Sequence, residues 1–304
     1  MKVIVLLSTY NGEKFLQSQL DSILAQDLCN NAEILIFVRD DGSSDNTQNI
    51  LQEYKKQKYL NWYTGVNIKP AKSFWHLLNH CPDADYYAFC DQDDIWFTDK
   101  LSRAVNTIQS LSNQNQPILY CSSVTVTDAS LNPIKNNTRN KVYTDFAHAL
   151  IYSLAPGCTF VFNHYAKNLL TSYDIDNNYV IMHDWLVHKI IAMMGIVLYD
   201  HNPTMYYRQH GNNVIGATKG GVKSFFTKLN RMLTVDRRVR SLSAKSLLNV
   251  YYEYIDDDVK DILNMVSSYY KEKKLKQKFL QSTLFSVGGI RDIYLKLLIH
   301  MDLI

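Results

Sequence analysis

The sequence predicts an α/β protein built on a mixed, mostly parallel sheet. β-rich apolar runs alternate with helix-periodic segments from Val3 to Leu111. Three of those runs, ending near Leu7, Val38 and Cys90, are each followed by a polar cluster. Ligands of open α/β sheets bind beyond the carboxyl ends of the strands, so the three clusters converge on one rim. At 304 residues, 46% hydrophobic and 20% charged, the chain has core enough for one large domain, alone or with a smaller one.

Val3–Leu7 is a continuous β-rich run that leads into a loop, Ser8-Thr9-Tyr10-Asn11-Gly12. A helix over about Glu13–Gln26 follows, with Phe15, Leu16, Leu20, Ile23 and Leu24 at helical spacing. Glu33–Val38 is the second strand, and it ends at Arg39-Asp40-Asp41-Gly42-Ser43-Ser44-Asp45. Helix 46–58, a short strand 61–64 and helix 73–79 come next. Strand Tyr86–Cys90 runs into Asp91-Gln92-Asp93-Asp94, and a helix starts near Lys100. Beyond Ile118 the pattern changes. Ile118–Thr127 alternates like an exposed or mixed strand, and 128–141 is a turn-rich excursion. Gly157–Asn163 reads as a strand, and His183-Asp184-Trp185-Leu186 opens a helix to about Met194. Ile196–Tyr199 and Thr204–His210 read as the last strands. Residues 211–221 are rich in glycine and polar residues and mark a boundary, which gives a catalytic domain over 1–215 and a helical extension over 216–304.

Composition narrows the function. The longest apolar run, Ile190–Tyr199, is about half a membrane span and is interrupted by Gly195. The N-terminal apolar run is too short for a signal peptide. The five cysteines are scattered without a Cys-x-x-Cys pair, which argues against structural zinc or a disulfide framework and fits a reducing cytoplasm. Net charge is +3 but uneven: −4 over residues 1–218 and +7 over 219–304. A basic C-terminal part suits an acidic surface. Nucleic acid explains it poorly, because no binding motif accompanies the charge.

The strongest chemical signal is the buried-looking strand that stops at three carboxylates within four positions, Asp91, Asp93 and Asp94. Like charges repel, and desolvating each costs several kcal/mol, roughly. A divalent cation (Mn2+ or Mg2+) with a phosphate-bearing ligand resolves that conflict, since hard cations bind through carboxylates plus substrate phosphate. The bland alternative, a helix cap, is better met by Thr98 or Asp99. Asp45 suits the cap of the next helix, leaving Asp41 on the rim, where a carboxylate can accept the imide N–H of uracil or thymine. Tyr10 can stack on a base and Ser8 can hydrogen-bond it. Asp184 stands where an acid ordinarily caps a helix, and His210 where a histidine is ordinarily solvated.

Taken together, Ser8-Thr9-Tyr10-Asn11, Asp40-Asp41-Gly42-Ser43-Ser44-Asp45 and Asp91-Gln92-Asp93-Asp94 resemble the family 2 glycosyltransferases, inverting nucleotide-sugar enzymes of GT-A fold. Cys90–Trp96, His183–Leu186 and Tyr207–Asn212 resemble a bacterial subgroup of rhamnosyltransferases in surface-polysaccharide assembly. The resemblance covers roughly residues 1–215. It implies that Ser8, Tyr10 and Asp41 contact the pyrimidine, Asp91 the ribose and metal, and Asp93 the cation. It implies His210 as a further metal or pyrophosphate ligand and Arg208 as an offset to diphosphate charge. The family's base is the aspartate of a Glu-Asp pair, which falls on Asp184; here His183 replaces the glutamate. The Gln-x-x-Arg-Trp motif of processive synthases is missing.

The implied reaction moves a sugar, with L-rhamnose favoured by the resemblance, from a dTDP- or UDP-linked donor to a hydroxyl of a glycan or lipid-linked acceptor. Val222, Phe225, Phe226, Leu229, Met232 and Leu233 repeat at helical spacing among basic residues. Such a helix suits either peripheral contact with the inner face of the cell membrane or a homodimer through 219–304. Two other functions compete. A sugar nucleotidyltransferase needs a glycine-rich basic loop after the first strand, which Ser8–Glu13 does not supply. A non-catalytic nucleotide-sugar or glycan-binding protein would carry the same carboxylates without turnover.

Overall fold

The computed structural model describes residues 1–28, 32–136, 141–210 and 238–304. Nine strands form one sheet among these residues, in the order β3-β2-β1-β4-β8-β6-β9-β5, with β7 (Pro133–Asn136) off this path and paired to β6. One half is parallel: β1 (Lys2–Thr9) lies between β2 (Glu33–Asp40) and β4 (Tyr86–Cys90), and β3 (Leu60–Thr64) extends β2. Register aligns Thr9 with Asp40, Asp40 with Thr64 and Leu7 with Cys90. The loops that leave these strands therefore emerge side by side. The short antiparallel β8 (Val161–Asn163) joins β4 to the other half, where β6 (Ile118–Thr127) runs parallel to β9 (Ile196–Arg208) and β5 (Ile95–Trp96) closes the edge. The result is a mixed α/β sheet with a helical C-terminal region.

Alternation along β1 shows why both faces are covered. Val3, Val5 and Leu7 belong to one apolar layer, and Ile4 and Leu6 to the other. Helix α1 (Leu16–Leu24) buries Leu16, Leu20 and Ile23. A later helix, α4 (Lys100–Gln109), buries Leu101, Ala104, Val105 and Ile108, a spacing that puts all four on one stripe. Both pack on the first layer. Between them, α2 (Thr47–Lys56) flanks β3 and α3 (Lys69–His80) lies against β1. The second layer holds α3, α5 (Phe146–Ile151), α6 (His164–Thr171) and α7 (His183–Met194).

Four further helices are described: α8 (Val239–Tyr251), α9 (Asp257–Ser268), α10 (Lys273–Gln281) and α11 (Ile290–His300). Ala244, Leu247, Val266, Leu298 and Ile299 are buried in the same layer as α5 and α7. The buried Lys189 of α7 donates to Ser243 Oγ (2.8 Å) and Arg240 to the Ile151 carbonyl (2.9 Å). The boundary expected at 215/216 and the basic stretch 222–233 lie outside the described residues. No helix among the described residues is long and apolar enough to cross a membrane.

Three elements differ from the sequence expectation. All ten residues of β6 are buried, because β6 is central in the sheet rather than half-exposed. The two strands expected at 196–199 and 204–210 are one, β9, whose register with β6 shifts near Pro203. Proline cannot donate to the ladder, so the strand bulges rather than ends. Of 157–163, Gly157–Thr159 forms a 3₁₀ turn and only Val161–Asn163 is strand.

Candidate active site

A cavity of about 510 Å³ opens on the rim where β1, β2 and β4 end. Ser8, Tyr10, Asp41, Asp91, Asp93, Asp184 and His210 all line it. Residues separated by up to two hundred positions therefore share one space, and the topology supplies the reason. Three parallel strands deliver the first five, α7 delivers Asp184 in its first turn, and the end of β9 delivers His210.

The wall made by the loops after β1 and β2 is tied together by the protein itself. Arg39 and Asp41 form a buried ion pair. Asp41 also accepts the backbone N–H groups of Ile68 and Lys69 (3.1 Å each). Arg39 reaches the Val66 carbonyl (3.0 Å) and Ser73 Oγ (3.2 Å), and Ser73 Oγ lies 2.6 Å from Ser8 Oγ. Gly42 has φ +82°, and a Cβ there would stand 2.9 Å from the Gly65 carbonyl oxygen, so glycine is required twice over. Asp40 is buried too, accepting from Gln48 Nε2 (2.8 Å) and Thr64 Oγ1 (2.9 Å). Asp45 accepts from Thr47 N (3.0 Å) and Glu13 N (3.1 Å), which joins the two loops. Tyr10, 47% exposed, projects from this wall.

Gln92 is a site residue that the sequence reading passed over. Its Oε1 accepts from Thr9 Oγ1 (2.6 Å) and Tyr10 N (2.8 Å), and its Nε2 donates to the Tyr10 carbonyl (3.2 Å). The amide so fastens the β1 loop to the acid loop. A Cβ at Gly12 would lie 2.5 Å from that Oε1. The signal in the sequence was a neutral residue flanked by acids, which pattern alone does not interpret.

The acids after β4 are far less well satisfied. Burial, then the like charges of Asp93 and Asp184, push Asp91 up to about 7. Asp94 is fully buried and raised well above the ordinary carboxylate range by burial and by its two acidic neighbours. Its Oδ1 accepts the Arg208 backbone N–H (3.0 Å) while Oδ2 has no partner. Asp93 Oδ2 lies 2.7 Å from His210 Nε2. Asp184 is pushed up to about 6 by burial, with backbone N–H groups, that of Trp185 among them at 2.7 Å, pulling the other way. His183 beside it stacks on Phe74 (4.0 Å) and meets the edge of Phe89 (5.1 Å). Burial drives its pKa down to about 3, so the imidazole is neutral.

Asp91, Asp93 and His210 line the cavity together and offer oxygen and imidazole donors of the kind a divalent cation takes. A second grouping, Asp91, Asp94 and Cys158, has ligand atoms within 4.8 Å of one another. The ammonium of Lys100 already serves that spot. It is fully buried, donates to the Cys158 carbonyl (3.0 Å), lies 4.7 Å from the Trp96 ring centre, and acts electrostatically on Asp94 and Cys158.

Arg208 is the predicted site residue that the structure does not bring to the cavity wall. Its guanidinium donates to the carbonyls of Asp93 (2.8 Å) and Ala129 (2.6 Å) and lies 4.5 Å from the Phe15 ring centre. It holds the acid loop from behind. Asp99 stands at the N-cap of α4 without a capping bond and sits 3.7 Å from Arg103 instead.

Comparison with known proteins now decides the family. The model for "Glycosyl transferase family 2" matches residues 4–171. The dTDP-rhamnosyl transferase RfbG of Shigella flexneri is 32% identical over 227 residues, 69% of this chain and 74% of that protein.

The chain belongs to glycosyl transferase family 2.

The solved structure of S. aureus TarS 1-349 in complex with UDP-GlcNAc superposes with a TM-score of 0.59 at 17% identity, covering 100% of this chain and 80% of that one. The mannosyltransferase PcManGT from Pyrobaculum calidifontis, in complex with GDP-Man and Mn2+, gives 0.51 at 14% identity, covering 97% and 87%. At such identities these two bear on the fold alone. Family 2 membership makes the protein a glycosyltransferase that draws on a nucleotide-sugar donor. The nucleotidyltransferase and inert-binder readings fall away with it.

Proposed function

We propose that this glycosyltransferase inverts the anomeric carbon of a dTDP- or UDP-linked sugar, L-rhamnose by preference, and passes it to a hydroxyl of a lipid-linked bacterial surface glycan. The observation that carries the mechanism is that Asp184 shares a cavity with Asp91 and Asp93. The preference for rhamnose rests on the resemblance to a dTDP-rhamnosyl transferase.

Each residue then has a task. Tyr10 stacks on the pyrimidine, Ser8 hydrogen-bonds it, and Asp41 accepts its imide N–H while bracing the 66–69 loop. Asp91, Asp93 and His210 would hold a divalent cation, which would offset charge on the diphosphate. Asp184 takes the acceptor's proton as that oxygen attacks opposite the leaving group. A general base of this kind typically contributes about 10²–10⁴-fold. His183, neutral where the family carries glutamate, adds no further negative charge beside four aspartates. Arg208 keeps the acid loop in register.

The test is Asp184→Asn. Donor affinity, measured by calorimetry with UDP and Mn2+, stays unchanged, while transfer falls at least about a hundredfold. Near-normal turnover in that variant removes Asp184 from the role. A thermal-shift panel of nucleotide sugars identifies the donor.

A further inference from the structure

We propose that the outer face of α11, flanked by the lysines of α10, seats the protein on an anionic lipid bilayer. Helix α11 buries Leu295, Leu298 and Ile299 against the C-terminal helices. Its other side exposes Ile290 (81%), Ile293 (69%) and Leu297 (52%), with Tyr294 and Met301 beside them. Spacings of three and four place these five on one continuous stripe. Five large apolar side chains in a row are more than the scattered exposure normal for a soluble surface.

Charge selects the occupant. At 100° per residue, Arg291 and Lys296 fall on opposite borders of the stripe. On the neighbouring α10, Lys273, Lys274 and Lys278 are exposed. Residues 271–304 carry seven lysines and arginines against three acids. A second copy docked about a two-fold axis would bring these cations against their own kind. An anionic bilayer attracts them while the stripe enters the headgroup boundary.

The position fits the chemistry. His148 Nε2 lies 3.1 Å from the Ser286 carbonyl, just before α11, and Asp292 of α11 fixes the same turn by accepting from Val287 N (2.9 Å). On the same helix as His148, the Ala149 carbonyl accepts from Trp185 Nε1 (3.1 Å), the residue after Asp184. One short helix, α5, therefore links the lipid-facing surface to the proposed base. In that respect the inference rests on the lipid-linked acceptor proposed above, as the place where such an acceptor would be met.

The experiment is flotation of the full chain with vesicles, without donor or acceptor, so that it is blind to whether the acceptor reading holds. The wild type floats with phosphatidylglycerol-containing vesicles and much less with phosphatidylcholine alone. The I293D/L297D variant lowers the bound fraction at least about tenfold, and R291E/K296E does so for the anionic vesicles. Unaltered thermal unfolding shows that both variants remain folded. Several results overturn the proposal: no flotation of the wild type, undiminished flotation of I293D/L297D, or flotation lost only in K223E/K228E/R231E. Sedimentation showing a dimer that I293D/L297D dissociates would assign the stripe to a second copy instead.

Discussion

Asp41 and Asp91 line the same cavity, yet the protein equips them very differently. Asp41 has a buried arginine and two backbone N–H groups, and its neighbour Asp40 has donors from Gln48 and Thr64. Asp91 and Asp94 face other acids, and burial and repulsion raise both. The first pair already has a counter-ion and donors within the protein. In the second group Lys100 and Arg208 act on Asp94, yet both acids stay raised, which a bound cation and donor would relieve. A braced wall and a wall of raised acids are thus built from the same residue type, aspartate, by what surrounds it.

Breaking the braced wall should cost most. Arg39→Ala leaves Asp41 buried without its counter-ion, and loss of one partner of a buried pair costs about 3–5 kcal/mol. A urea unfolding midpoint unchanged from wild type would show that Asp41 does not depend on Arg39. The wall of raised acids should respond to ligand rather than to truncation. Adding Mn2+ with UDP stabilises a binding-competent chain by about 2.7 kcal/mol at a hundredfold over Kd. Asp93→Ala should lose that gain in thermal unfolding while its apo stability holds. An equal gain in the variant would place the cation elsewhere.

The smallest effect concerns protons. Asp184 must be ionised to accept one, and burial has raised it to about 6. The rate of transfer at saturating substrate should fall about tenfold per pH unit below that value. Because the folded pKa lies above the unfolded one, the ionised group costs stability above pH 6. That cost disappears below the ordinary carboxylate range. A rate that stays flat down to pH 5 would contradict the assigned base.

Much of the donor side was legible because it is local. Strand runs of period two, helix stripes and turn residues put Ser8, Asp41 and Asp91 on one rim before any coordinates. What escaped was long-range. Arg39 and Ser73 read as ordinary polar residues, and only tertiary contact joins them to Asp41. Lys100 looks like a surface residue at a helix start, but β9 and the 3₁₀ turn close over it. The alternation of β6 suggested one wet face, which neighbours on both sides remove. On α11 apolar residues fall on both the buried and the exposed sides, so only packing distinguishes the outward stripe from the core. His183 was visible as a departure from the family pattern, but its neutrality follows from the Phe74 and Phe89 rings.

The antiparallel β8 between β4 and β6 has a wider consequence. It is a seam: the strands before it carry Ser8, Asp41, Asp91 and Asp93 to the cavity, and α7 after it carries Asp184. The two sides are still tied together at the end of β9, where Arg208 and His210 reach the acid loop that follows β4. An exchange of the later part by grafting would therefore have to keep the end of β9, because the acid loop leans on it.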